Sequence, residues 1–268
     1  MEQFLDQAEI LLRNVVQSHD VSTLVVLHCL RNLANVLDNL KLYNECRLTG
    51  NCALDLAEAL GRRSFQFRHE QAETLALLAE LSVYHPHART LFIQAVSICE
   101  EVVANDASHS NKNRLLTVLG RAGYWAPDHL RTQWLGHAVH LMTKELPPTA
   151  VHPELRSSIY NNYGAGLHQL KQYANAVEAF HEAASIFRTL AVNNPVKYNY
   201  NLAKSLMNVG VTSDKLGKYG DALRLTRNPL SSVGLCQGKV PLSIISRWQK
   251  HSVIMWSLLR SSTKSLKQ

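Results

Sequence analysis

An internal repeat restricts the fold of this chain more than any other feature. Tyr160, Tyr163, Gly164, Tyr173 and Ala176 are answered by Leu206, Val209, Gly210, Tyr219 and Ala222, each 46 residues further on. A fainter copy, Leu30, Leu33, Ala34 and Tyr43, precedes them. The 130 residues from Tyr43 to Tyr173 make three periods averaging about 43. Ala53, Ala95, Ala138 and Ala183 keep the same beat at separations of 42, 43 and 45, with Phe92 and Phe180 three residues before two of them. Apolar residues recur at three- and four-residue steps, as in Leu24, Leu27, Leu30, Leu33, Leu37 and Leu40, or Ala176, Val177, Phe180, Ala183, Ile186 and Phe187. Strand-like alternation is absent. The breaks are short: Gly61, His85-Pro86-His87, Asp106 to Ser110, Ala126-Pro127-Asp128, Pro147-Pro148, Asn193-Asn194-Pro195 and Gly217 to Gly220. Helices joined by such turns must lie antiparallel to their neighbours.

The repeated residues have a packing rationale. A Gly or Ala in the first helix of a unit lets the second approach closely, a small Ala in the second accepts a bulky residue of the first, and the aromatic fills the layer to the next unit. In these positions the sequence resembles the tetratricopeptide-repeat family in its longer, kinesin-light-chain-like form. The fullest unit runs from Tyr160-Asn161-Asn162-Tyr163-Gly164-Ala165 through Tyr173, Ala176, Phe180 and Ala183. The resemblance implies an all-α fold, an α-α superhelix or solenoid of antiparallel helix pairs. It covers residues 22–227 as five degenerate units, flanked by an N-terminal helix or cap over residues 1–21 and a tail over residues 228–268.

Three units depart from the pattern. The second shortens its inter-helix turn around His85-Pro86-His87 and lacks the turn tyrosine, while the third keeps Leu119-Gly120 but has Pro127 where its second helix should begin. In the fifth, Pro229 stands at the counterpart of Ala183 and Thr226 at that of Phe180. Proline inside a helix costs about 3 kcal/mol, so the last packing helix is expected to be truncated or replaced.

The formal charge of +7 belongs to the end of the chain. From Ala222 onward there are eight basic residues and no Asp or Glu, leaving 20 basic against 21 acidic residues in positions 1–221. An electrostatic argument about acidic partners therefore concerns the tail alone. There Ile245, Trp248, Met255 and Leu259 share one helical face, with Arg247, Lys250 and Arg260 on others. Four readings of the tail stay open: a cap on the array's end, a flexible extension, an altered reading of the gene after the repeat breaks off, or a binding helix for a membrane surface or acidic partner. Glu2, Asp6 and Glu9 sit where a secretion signal would be basic and then apolar, and no window supplies the roughly 18 apolar residues of a membrane span. The five cysteines, odd in number and without a CxxC pair, fit reduced thiols. A cytoplasmic location is expected, and a nuclear one is equally compatible with these features.

In three units the residue before Leu33, Tyr163 or Val209 is an asparagine: Asn32, Asn162 and Asn208. An amide side chain donates and accepts at once, so a row of them can hold a peptide backbone without reading its side chains. The family resemblance implies this use, with first helices lining a concave groove for a peptide of a partner protein. It rests on Leu30-Arg31-Asn32-Leu33-Ala34, Tyr160-Asn161-Asn162-Tyr163-Gly164 and Leu206-Met207-Asn208-Val209-Gly210. Arg31, Asn35, Asn161 and Lys204 lie on or beside the same face and would add charge recognition. Ala76 and Val118 occupy this place in the second and third units, interrupting the row. Another part of the family clamps a terminal carboxylate. Only Arg31 with Asn35 and Lys204 with Asn208 resemble that set, too far apart to share one carboxylate.

Chemistry of the chain's own is not indicated. His137 and His140 are one turn apart and His85 and His87 flank a proline, but no HExxH or Cys/His cluster accompanies them. Gly217-Lys218-Tyr219-Gly220 is an inter-helix turn, and no nucleophile elbow or Ser-His-Asp order occurs. The expectation is a non-enzymatic scaffold without metal, cofactor or specific nucleic acid. An alternative is a sensor or self-association block related to larger signalling proteins with a nucleotide-switch domain.

Overall fold

Turn and capping residues set the helix boundaries. The computed structural model describes residues 20–126 and 128–217. Nine α-helices and no strand occur among the described residues: α1 (Asp20–Asn39), α2 (Tyr43–Arg63), α3 (Arg68–Glu80), α4 (Ala88–Asn105), α5 (His109–Trp125), α6 (Asp128–His140), α7 (Pro153–Gln169), α8 (Tyr173–Asn193) and α9 (Pro195–Lys215). Ser108 caps α5 by accepting from the Asn111 N–H. Asn194 caps α9 by accepting from Lys197 N–H at 3.1 Å, with Pro195 in the first turn where its missing N–H costs nothing. The N-terminal cap and the basic tail lie outside the described residues, apart from the start of α1 at Asp20, and so do Tyr219, Ala222, Pro229 and the second helix expected in the fifth unit.

The chain divides into two units, Met1–Leu155 and Arg156–Gln268. In the first, α1 to α6 pack in succession, each on the next, with α3 also touching α5. In the second, Gly164 of α7 meets Phe180 of α8, α8 packs along α9, and Asn161 of α7 reaches α9. The pairs are α1–α2, α3–α4, α5–α6 and α7–α8, with α9 as the first helix of a fifth. The helix-pair build implied by the sequence resemblance is the one the described residues adopt.

Two tight turns share one geometry. After α1, Lys41 has φ +61°, its N–H bonds Asp38 C=O, and Leu42 N–H bonds Leu37 C=O. After α7, Lys171 has φ +60°, with the same pair of bonds to His168 and Leu167. Both are Schellman ends, in which a left-handed residue lets the last carbonyls be satisfied. Gly217, 46 residues after Lys171, has φ +73° and repeats the first of these bonds to Asp214. Lysine at two of the three positions hid these turns from a reading based on glycine and proline.

The repeated small residues are where the helices touch. Ala53, Ala95, Ala138 and Ala183 lie in α2, α4, α6 and α8, all buried, as are Phe92 and Phe180. A Cβ on Gly164 would fall 2.8 Å from Phe180 Cδ1, so the close approach depends on glycine there. Other sequence expectations are corrected. Gly61 does not end its helix: α2 runs to Arg63, with Gly61 buried inside it. In the third unit the close approach falls on Gly123, whose Cβ would lie 2.4 Å from Leu135 Cγ, three residues after the expected Gly120. The second helix of that unit starts at Asp128. Leu33 and Leu40 are exposed while Leu27 is fully buried. Each step of three residues falls 60° short of a full turn, so successive leucines wind off the core face.

Candidate functional site: the face of the first helices

Side chains on successive first helices are tied to one another one repeat apart. In the first unit the tie is ionic. Arg31 of α1 is buried, donates from Nε to Thr74 Oγ1 at 2.8 Å and from Nη2 to the Glu70 carbonyl, and pairs through Nη1 with Glu70 Oε2 at 2.8 Å. That last contact is an ion pair without hydrogen-bond alignment, since Glu70 Oε2 has no hydrogen-bond partner. Glu73 joins from the same helix, 3.5 Å from Arg31 Nη1 and 3.1 Å from Arg114 Nη1 of α5. Two turns further, Arg121 of α5 grips Glu80 of α3 with two bonds of 2.9 and 2.6 Å, the bidentate geometry guanidinium favours.

Glu70 is the centre of this cluster, buried with His28, Arg31 and His69 around it. Burial alone would raise its pKa. The hydrogen bond from His69 and the charges of Arg31, His69 and His28 outweigh that and bring it down to about 2. Burial pulls the Arg31 guanidinium below its ordinary value while Glu70 and Glu73 oppose the shift.

In the second unit neutral groups do the same work. Asn161 of α7 is buried, and its Oδ1 accepts from Asn208 Nδ2 at 3.2 Å and from Ser205 Oγ at 3.3 Å, both on α9. His168 of α7 meets Thr212 Oγ1 at 3.0 Å. Thr212 gives its only proton to the Asn208 carbonyl at 2.7 Å, so His168 Nδ1 is the donor. Burial and the nearby Lys215 hold this imidazole's pKa below the usual value. Thr74 repeats the device in α3, donating to the Glu70 carbonyl and accepting from Arg31. A hydroxyl satisfied within its own helix turns its lone pairs toward the preceding first helix.

The predicted site residues therefore divide. Asn32 and Lys204 are exposed, Asn162 and Asn208 are half-buried, and Arg31 and Asn161 are buried inside the ties just described. Asn161 and Asn208 are brought together by a direct bond. Arg31 has no free charge to offer on the surface, because its guanidinium is held within the first unit. Asn35 is exposed beside Asn32. Ala76 and Val118, expected on this face, are fully buried. The face there is occupied by Glu73, Glu80, Arg114 and Arg121, which the sequence reading missed. Their signal was an acid and a base one period apart, Glu73 with Arg114 and Glu80 with Arg121, at 41 residues. Next to Asn208 lies a shallow depression lined by Ala165, His168, Gln169, Phe180, Val211 and Thr212.

Of the histidines noted in the sequence, His85 packs edge-on against Trp125, and His137 and His140 lie near carboxylates. His137 Nδ1 is 3.5 Å from Glu100 and His140 Nδ1 is 3.2 Å from Glu145, which also takes Lys112 Nζ at 2.9 Å. Among the described residues no helix is long and apolar enough to cross a membrane.

No family model matches the sequence, and no curated protein matches it. Among solved structures the chain is similar to BtubC (BKLC) from P. vanneervenii, at 14% identity and a TM-score of 0.48, over 86% of this chain and 94% of that one. It is also similar to the Q17M form of nearly identical TPR-like repeats of a P. anserina kinesin light chain, at 17% identity and a TM-score of 0.45, over 84% of this chain and 96% of that one.

Proposed function

We propose that the protein is a non-enzymatic scaffold that binds a peptide segment of a partner protein along its first helices. The observation that supports this reading best is the α7–α9 face of the second unit. Asn162 and Asn208 stand half-open on adjacent first helices, Lys204 projects into solvent one turn from Asn208, and the depression lined in part by Phe180 adjoins Asn208. An extended segment laid there meets amide groups that both donate and accept, with one cation beside them. Asn161 and Arg31 act indirectly, by holding neighbouring first helices in place. Asn32 is the corresponding surface amide of the first unit.

The test is binding of an affinity-captured partner peptide to Asn162→Ala, Lys204→Ala and the double variant. The Asn162 side chain makes no hydrogen bond among the described residues, so its truncation leaves helix content and melting temperature unchanged while weakening binding. A loss of stability matching the loss of binding makes the amides structural and removes the proposal. Unchanged binding in the double variant also removes it. The self-association reading predicts instead that the purified chain sediments as a concentration-dependent oligomer.

A further inference from the structure

The imidazole of His168 is used on one side only. Its Nδ1 donates to Thr212 Oγ1, whose own proton is committed to the Asn208 carbonyl, so the neutral ring keeps its proton on Nδ1 and leaves Nε2 as an acceptor. No described residue bonds that Nε2. The ring is held by the Thr212 bond and by an edge contact with Tyr173 at the start of α8, 5.3 Å between centroids. It lines the depression beside Asn208, where Ala165, Phe180 and Val211 supply apolar wall. Asn208 adds a second acceptor, since its Nδ2 donates to Asn161 and no described residue bonds its Oδ1. The charged or titratable groups facing the imidazole are Tyr173 of α8 and Lys215 of α9. The Lys215 ammonium opposes a second positive charge there, as burial does, which keeps the ring neutral at neutral pH.

We infer that the depression takes a neutral side chain of the bound segment, one with an N–H or O–H donor on an apolar body, and that His168 Nε2 is the acceptor that selects it. The inference rests on the peptide-binding reading above. The volume, about 240 Å³, is ample for such a side chain, since an apolar cavity of roughly 150 Å³ takes a benzene ring. A purely aliphatic side chain makes the wall contacts but strips water from Nε2 without replacing its hydrogen bond. A carboxylate sets an acceptor against an acceptor, and a cation meets Lys215. Protonation turns Nε2 into a donor. Because burial and Lys215 place this ring's pKa below the ordinary 6.5, selection for the donor is complete at neutral pH and is lost only as the pH falls below that value.

Three small probes read the acceptor directly. p-Cresol carries a hydroxyl on an apolar ring, 4-methylanisole masks that hydroxyl, and p-toluate carries a carboxylate instead. Their binding to the full chain labelled with [15N]histidine is followed by the His168 ring nitrogens, assigned by their disappearance in His168→Phe. At pH 7.5 p-cresol is expected to bind about fivefold or more tightly than either of the others, the ratio one added hydrogen bond supplies. It should move the Nε2 resonance while Nδ1 keeps its proton, and its advantage should shrink as the pH is lowered to about 5. His168→Phe keeps an aromatic ring without an acceptor and should bind p-cresol and 4-methylanisole alike, read by calorimetry. The comparison of probes in the unaltered chain stands even if that variant fails to fold. Failure of p-cresol to bind, equal binding of p-cresol and 4-methylanisole, tighter binding of p-toluate, or a preference indifferent to pH overturns the inference. The peptide-binding reading fails separately, on the Asn162 and Lys204 variants, because neither residue lines the depression.

Discussion

Replacing Glu70 by Gln keeps the side chain's size and removes its charge from the middle of the α1–α3 seam. The pKa of this carboxyl falls from 4.5 to about 2 in the folded protein. A difference of about 2.5 units at about 1.36 kcal/mol each corresponds to roughly 3 kcal/mol of folding stability. Breaking a buried ion pair by removing one partner costs about 3–5 kcal/mol, and here the loss falls at or below the low end of that range because Arg31 keeps Glu73, 3.5 Å away, as a counter-charge. Since the folded pKa is depressed, this stability is fully present above the unfolded pKa, and it is lost as pH falls from there toward about 2. Urea unfolding followed by circular dichroism at pH 7.5 is expected to show Glu70→Gln destabilised by about 2–3 kcal/mol. The gap between wild type and variant should stay constant down to about pH 5.5 and narrow steadily below pH 4.5. Glu73→Gln is the control, since that carboxylate is one-third exposed and screened by solvent, and should cost about 1 kcal/mol or less. Equal losses in the two variants, or a Glu70→Gln gap that does not move between pH 7.5 and pH 3, would refute the assignment of Glu70 as the buried centre.

Other substitutions test the helix contacts and turns. Gly61→Ala should stabilise the protein by about 0.5–1 kcal/mol, because a Cβ there meets nothing closer than 3.4 Å and alanine is the better helix former. Gly123→Ala should destabilise it by about 1–2 kcal/mol net, the overlap with buried Leu135 outweighing the same propensity gain; thermal melts of the two variants should move in opposite directions. At Lys171, with φ +60°, glycine should raise the urea midpoint slightly and valine should lower it, since a β-branched residue resists the left-handed region. The thiol of Cys99, pushed up to about 12 by burial, should resist alkylation at pH 8 until the protein unfolds.

The fold was legible where its determinants are local. The breaks at Asp106 to Ser110 and Asn193-Asn194-Pro195 were legible because turns and caps depend on a few adjacent residues. The alanines at 53, 95, 138 and 183 announced helix contacts because close packing of like units demands a small residue at the same place each time. The α1–α2 and α7–α8 turns were less legible, since Schellman bonding tolerates Lys41 and Lys171 at a modest energetic cost and so leaves no glycine to read. In the third unit the sequence offers Gly120 for the close approach, and the structure shows one at Gly123. Glycine marks close approach only when its neighbour is known, and Leu135 selects Gly123 rather than Gly120.

What the sequence determines by itself is periodicity: all-helical hairpins, their approximate boundaries and the small-to-large contacts inside each pair. Those follow from the 3.6-residue turn and from side-chain volume. Which polar residues are exposed and which tie neighbouring first helices together was settled only in three dimensions. Arg31 and Asn32 are adjacent in the chain, yet one is buried against Glu70 and the other is exposed, because neighbouring positions on a helix differ by about 100°. That angle decides nothing until the next first helix is in place, forty-odd residues away.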